Sequence, residues 1–162
     1  MFKTEAEKME HLSGISHLVA NHDGQLYPML FCDFDGKHIC FAVPFNDLED
    51  KQRFIRLVQD AIVNKRISFF ALVLESWITV VPNELQESMD VDEIMRIPAD
   101  KRPHTHEVVL VTFSGPKEEV SYHAKINRDK DGKRSLADWV KQDGATTGRF
   151  ANIWTNAIAV TN

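Results

Sequence analysis

Between Ile67 and Val81 the chain reads ISFFALVLESWITVV, an apolar run interrupted by Glu75-Ser76-Trp77. Alternation puts Phe70, Leu72, Leu74, Ile78 and Val80 on one face of a strand and Phe69, Ala71, Val73 and Trp77 on the other. A strand that is apolar on both faces has to be covered on both, so this segment is the interior strand of a layered core. It also sets a carboxylate inside that core. An ionised Glu75 buried without a partner is costly, so it requires an Arg, a His or several donors nearby. The preferred reading places Glu75 near the strand end, partly solvated and paired with Arg149 or Arg102. The functional alternative is a polar spot in a pocket walled by Trp77.

The rest of the chain supplies the covering layers. Met9, Leu12, Ile15 or Ser16, and Val19 recur at helical spacing over residues 3–20, and Asn21-His22-Asp23-Gly24 ends that helix. Residues 28–34 and 38–43 are short β-rich runs around Asp35-Gly36, which predicts a hairpin. Asn46 with Glu49 is a capping box for a helix over 47–64, with Leu48, Phe54, Ile55, Leu57, Val58, Ala61 and Ile62 on one stripe. A long connection over 82–105 contains a short helical candidate at 91–95. Strands follow at 107–114 and 119–127. The second alternates cleanly, with Val120, Tyr122, Ala124 and Ile126 inward and Ser121, His123 and Lys125 outward. After a turn at Asp131-Gly132 come Leu136, Trp139 and Val140, and then a C-terminal helix burying Phe150, Ile153, Trp154 and Ile158. The expected architecture is one α+β domain over residues 1–162, a largely antiparallel sheet of about five strands with packed helices.

With 162 residues the chain is the size of an ordinary domain, and its 43% hydrophobic and 27% charged content is that of a globular protein. A net charge of −5 offers no attraction for phosphate backbones, which disfavours nucleic acid as a partner. The start MFKTEAEKMEHL carries acidic residues where a signal peptide needs a basic start and an apolar run. The longest apolar stretch is too short for a membrane helix. A cytoplasmic protein without membrane association is expected. Two cysteines, Cys32 and Cys40, flank the Asp35-Gly36 turn. A two-residue loop pairs Cys32 with Ile39 and turns Cys40 away, whereas a three-residue loop sets the cysteines opposite each other. Two reduced, mostly buried thiols are expected.

Several groups invite chemistry. Asn127, Asp129, Asp131, Gly132, Ser135 and Asp138 fall on the positions of an EF-hand calcium loop. The preceding segment alternates as a strand where that motif needs a helix. Arg134 occupies its aliphatic position, and Arg128, Lys130 and Lys133 oppose a cation. A polar hairpin turn is the preferred reading. His104 and His106 have the spacing of two ligands on one strand face. His123, with Glu75 or Glu107, completes a hypothetical zinc site that would also supply a metal-activated water. Surface histidines at a loop–strand junction are the simpler account in a chain with seven of them. Ser76 and Ser114 lack a nucleophile elbow. Gly144-Ala-Thr-Thr-Gly148 lacks a P-loop lysine, Arg149 standing in its place.

The strand closing in Glu75-Ser76-Trp77, the segment from Pro98 to Pro103 leading into Glu107-Val108-Val109-Leu110-Val111, and Gly148-Arg149-Phe150-Ala151-Asn152-Ile153 occur in an order of their own. Together, over about Phe69 to Trp154, they resemble a family of uncharacterised small proteins found in proteobacteria, phages and prophages. Thr105-His106 stands where that family has a basic residue before the second Glu. The resemblance implies a mobile-element accessory protein and a shared site or interface built from Glu75, Trp77, Glu107, Arg149 and Asn152. The expected function is that of a non-enzymatic interaction protein without a cofactor, binding a protein of host or phage, with a homodimer allowed. The polar-faced strand at 119–127 is its expected docking edge. The alternative is a small metal-dependent hydrolase using His104, His106 and His123 with Glu75 or Glu107.

Overall fold

The computed structural model describes residues 2–43, 45–79, 90–142 and 153–159. The helices are α1 (Glu5–Asn21), α2 (Leu48–Val63), α3 (Val91–Arg96) and α4 (Ile153–Ala159). The strands are β1 (Met29–Phe34), β2 (Lys37–Ala42), β3 (Ile67–Thr79), β4 (Thr105–Ser114), β5 (Glu119–Arg128), β6 (Arg134–Leu136) and β7 (Val140–Lys141). They form one antiparallel sheet in the order β2-β1-β3-β4-β5-β6, with β7 also pairing β5. The α+β class is as expected, with seven strands where about five were anticipated. The two missed strands are only three and two residues long, too short to show a period of two.

The apolar run lies at the centre, as its two-faced pattern requires: β3 pairs β1 on one side and β4 on the other. Phe69, Ala71 and Val73 join Val109, Val111, Phe113, Tyr122 and Ile126 beneath Leu12, Ile15 and Val19 of α1. Phe70 and Leu72 face the other way, with Leu30 and Cys32, against Val58 and Ile62 of α2 and Ile153 and Ala157 of α4. The helical spacing in α1 predicts its buried face except at Met9, which is exposed. In α2 the cap is Asp47, not Asn46: Asp47 accepts from the Asp50 N–H at 2.8 Å, while the Asn46 side chain donates to Asp50. The stripe is also narrower than its sequence suggests, since Leu48 and Leu57 are exposed. In α4 Ile153 is buried as anticipated, whereas Phe150 lies outside the described residues.

Topology decides which edge is left open. β2 and β3 both run antiparallel to β1, hence parallel to each other. Parallel strands need a crossover, here α2, and the crossover steps over β1 to leave β2 at the margin. The turn joining β1 and β2 has positive φ at both Asp35 (50°) and Gly36 (77°), the type I′ geometry that matches strand twist. This two-residue loop pairs Cys32 with Ile39. Cys32 is buried and Cys40 is exposed, so only one of the two thiols is covered as expected.

After β4 the chain turns tightly at Gly115, where a Cβ would lie 2.4 Å from Cδ2 of Phe69. Phe69 is itself buried in the core, so its ring has little room to withdraw. Gly115→Ala is expected to destabilise the fold by about 1–3 kcal/mol, read as a lower midpoint in urea with an unchanged slope.

Candidate functional site

Charged side chains converge at one corner of the α1 face, around the last residues of β3. Arg128 and Arg134 stand directly opposite each other on β5 and β6, where like charges repel. Each is neutralised by a glutamate. Arg128 forms a two-pronged ion pair with Glu107 on β4, and Arg134 reaches Glu75 on β3 through a single contact, Nη2 to Oε1. Register alone places β6 three strands from β3, roughly 14 Å across a flat sheet. Contact between Arg134 and Glu75 therefore requires β5 and β6 to curl over this face. α1 lies beneath them, bound to β5 by Tyr122 donating to Glu5, to the β4–β5 turn by Lys8–Glu118 at 2.7 Å, and to the segment after β6 by Trp139 Nε1 donating to Ser16 at 3.0 Å.

The inner pair is dry. The side chains of Glu75 and Arg134 are 2% and 5% exposed. Glu75 Oε1 also accepts from the Leu26 N–H at 2.9 Å, tying in the chain between α1 and β1. Glu75 Oε2 and Arg134 Nε and Nη1 are buried without a partner. The expectation that the Glu75 side chain is partly solvated and bound to Arg102 is thus corrected, while Arg149 lies outside the described residues. The partner of Glu75 is Arg134, and Arg102 donates to the Ile97 carbonyl at 2.7 Å. The cavity of about 600 Å³ beside Glu75 is lined by Leu26, Tyr27, Phe45, Lys51 and Ser76, without Trp77. The outer pair is half open to solvent, and the hydrogen bond and charge of Arg128 hold the Glu107 carboxyl below its usual range.

Of the five residues expected to share a site, Glu75, Trp77 and Glu107 come together on one face, with Trp77 directly opposite Glu107. Trp77 is exposed and Glu107 reaches the surface. Arg149 and Asn152 lie outside the described residues. Arg134 escaped the sequence reading because it was weighed only as a misfit in a calcium motif. The signal was the inward alternation of Tyr122, Ala124 and Ile126, which a short hairpin extends onto Arg134. The polar hairpin turn preferred over a calcium loop is present, with Asp129 Oδ1 accepting from the Asp131 and Lys133 N–H groups, both at 2.9 Å.

The three histidines are not assembled. His104 sits in the turn before β4 with φ of 56°. His106 lies on the α2 side of β4, opposite Ile78, while Glu107 and Glu75 lie on the α1 side. His123 is opposite Leu110, four residues of strand from His106, roughly 13 Å. Among the described residues no group of three His, Cys, Asp or Glu is placed to hold a metal ion.

The expected docking strand is also relocated. β5 is interior, with β4 on one side and β6 and β7 on the other. Its outward Ser121 is buried and bonded to Thr112 at 2.9 Å. The sheet ends in the three-residue β6 on one side and in β2 on the other, and β2 is exposed at every residue except the half-buried Ile39. Among the described residues nothing pairs with its outer side. Beside it, a groove of about 600 Å³ runs between α1 and the hairpin, lined by Phe2, Glu10, His11, Gly14, Phe31 and His38. His11 packs edge-on against Phe2 and Phe31, each with ring centres 4.6 Å away, and its Nε2 is buried without a partner. Burial pushes its imidazole down to about 4.

No described helix is long and apolar enough to cross a membrane. Compared with protein-family models, curated proteins and solved structures, the chain matches none.

Proposed function

We propose that this chain is a non-enzymatic interaction protein of bacterial or phage origin that docks a protein partner by strand addition to the outer edge of β2. The observation that supports this reading most is the state of that edge. Sheet margins are ordinarily blunted by Pro, a bulge or an inward charge. β2 instead presents Ile39-Cys40-Phe41-Ala42, four apolar residues in succession, paired without a bulge to β1. Phe41 is 43% exposed and Cys40 is exposed. Strand addition draws affinity from main-chain hydrogen bonds and selectivity from alternate side chains, and β2 offers both. The phage or bacterial origin rests only on the resemblance carried by the sequence motifs between Phe69 and Trp154. Trp77 beside the Glu107–Arg128 pair is a second exposed patch on the same chain. The separation of His104, His106 and His123 leaves the hydrolase alternative without a supporting observation.

Cys40→Pro tests the reading. It removes an outward N–H at a margin, where proline is tolerated. Proteins retained from bacterial lysate by the wild-type chain, or a differently tagged copy of the chain itself, are expected to be lost from a variant whose circular dichroism is unchanged. Equal retention by both chains would contradict it.

A further inference from the structure

The free edge of β2 is complementary to itself, and we infer that the segment docking there is β2 of a second copy of this chain, antiparallel, across a two-fold axis at Cys40. This rests on β2 being the docking edge. Phe34 and Lys37 close a two-residue turn and are therefore a hydrogen-bonded pair; Cys32–Ile39 and Leu30–Phe41 share that parity. The Val43 N–H, donating to the Pro28 carbonyl at 2.7 Å, continues it. His38, Cys40 and Ala42 consequently turn their N–H and C=O groups outward.

Only one register engages all three outward residues of both copies. Centred on Cys40, it sets Cys40 against Cys40 and His38 against Ala42, each an outward residue facing an outward residue. A centre at Ile39 leaves Ala42 with nothing opposite, because β2 begins at Lys37; a centre at Phe41 leaves His38 unopposed, because β2 ends at Ala42. The side chains agree with the main chain. On the α2 side, Ile39 of each copy meets Phe41 of the other, two apolar cross-strand pairs that cover the exposed rings. At the axis on the α1 side stands the small Cys40. The ends are complementary in charge. Lys37 and Lys65 stand at the turn, where Arg66 is paired with Asp35, while Asp47, Glu49 and Asp50 open α2 at the opposite end of the hairpin. Antiparallel copies bring the basic end of one beside the acidic end of the other. Such an interface is closed: each edge consumes the other, and no further strand can add. This accounts for a margin whose guard, Lys37 and His38, is confined to the turn end and leaves Ile39 to Ala42 open.

Sedimentation of the full chain, with Phe41→Lys and Cys40→Pro alongside, tests the inference. The expected wild-type mass is twice the 18.5 kDa of one chain, halved in both variants while their near-ultraviolet circular dichroism is kept. Facing residues of an antiparallel pair lie about 5.5 Å apart at Cα, within reach of a disulfide. Copper phenanthroline should therefore link wild-type chains through Cys40, and Cys40→Ser should abolish the link. A dimer that neither variant dissociates would overturn the inference. So would a monomer, and the lysate capture then separates the two levels. Proteins lost on Cys40→Pro would leave β2 as the docking edge for a different partner, and proteins retained equally would remove both.

Discussion

Replacing Arg134 with methionine is expected to destabilise the protein by about 3–5 kcal/mol, because it leaves the Glu75 carboxylate uncompensated in a site closed to water. Glu75 is 2% exposed at its side chain, so solvent cannot take over from the lost partner, and the Leu26 N–H alone is a weak counterpart to a full charge. Glu75→Gln should act in the same sense by stranding Arg134, whose Nε and Nη1 are already without partners. The double variant Glu75→Leu with Arg134→Met should recover most of the loss, since a buried pair is worth little more than well-packed apolar residues of similar volume. Urea denaturation of the three variants decides the matter. A single variant as stable as wild type would mean that the corner is wet and the curl of β5 and β6 is held by something else. At the outer pair, Arg128→Ala should cost about 1 kcal/mol or less, since Arg128 is half exposed and screened.

Acidification should weaken the fold well before its carboxylates titrate. His11 is held down to about 4 against an ordinary value of 6.5, so the folded state favours the neutral ring. Its contribution is complete above pH 6.5 and is lost as pH falls from there toward 4, where the folded form also takes up the proton. The loss amounts to about 2 kcal/mol once partial solvent access to the ring is allowed for. His123, also lowered by burial, adds in the same direction. Depressed carboxylates such as Glu107 and Asp35 lose their contribution only below their unfolded values of 4.5 and 3.8. The window between pH 6.5 and 4.5 therefore belongs to histidine. His11→Phe should flatten the stability profile there while keeping the ring contacts with Phe2 and Phe31. An unchanged slope in that variant would show that His11 is not the group responsible.

The sequence carried what depends on local period and lost what depends on how the sheet bends. The double-faced run at Ile67 to Val81 announced an interior strand covered on both sides, and β3 is central with α1 on one face and α2 and α4 on the other. Asp35-Gly36 announced a hairpin but left its loop at two or three residues, and only the register settles that Cys32 pairs with Ile39 and not with Cys40. Alternation in β5 correctly sorted Tyr122, Ala124 and Ile126 inward. It could not tell that β5 is interior, because a polar face is compatible with an edge and equally with a strand whose outward Ser121 is bonded to Thr112. The partner of Glu75 was hidden for a different reason. Arg134 lies 59 residues away in the chain and reaches Glu75 only because β5 and β6 coil across two intervening strand widths. Sheet coiling leaves no periodic trace. The open margin was hidden for the same kind of reason, since β2 is an edge only because α2 carries the chain over β1.

Amide hydrogen exchange along β2 tests the docking edge most directly, on the untagged chain at high concentration and again in complex with whatever the wild-type chain retains. Ile39 and Phe41 bond inward to β1 and serve as the internal reference. The account predicts that His38, Cys40 and Ala42 exchange as slowly as that reference in the self-paired chain or in the complex. Fast exchange at those three residues in both preparations, with Ile39 and Phe41 protected, would contradict it.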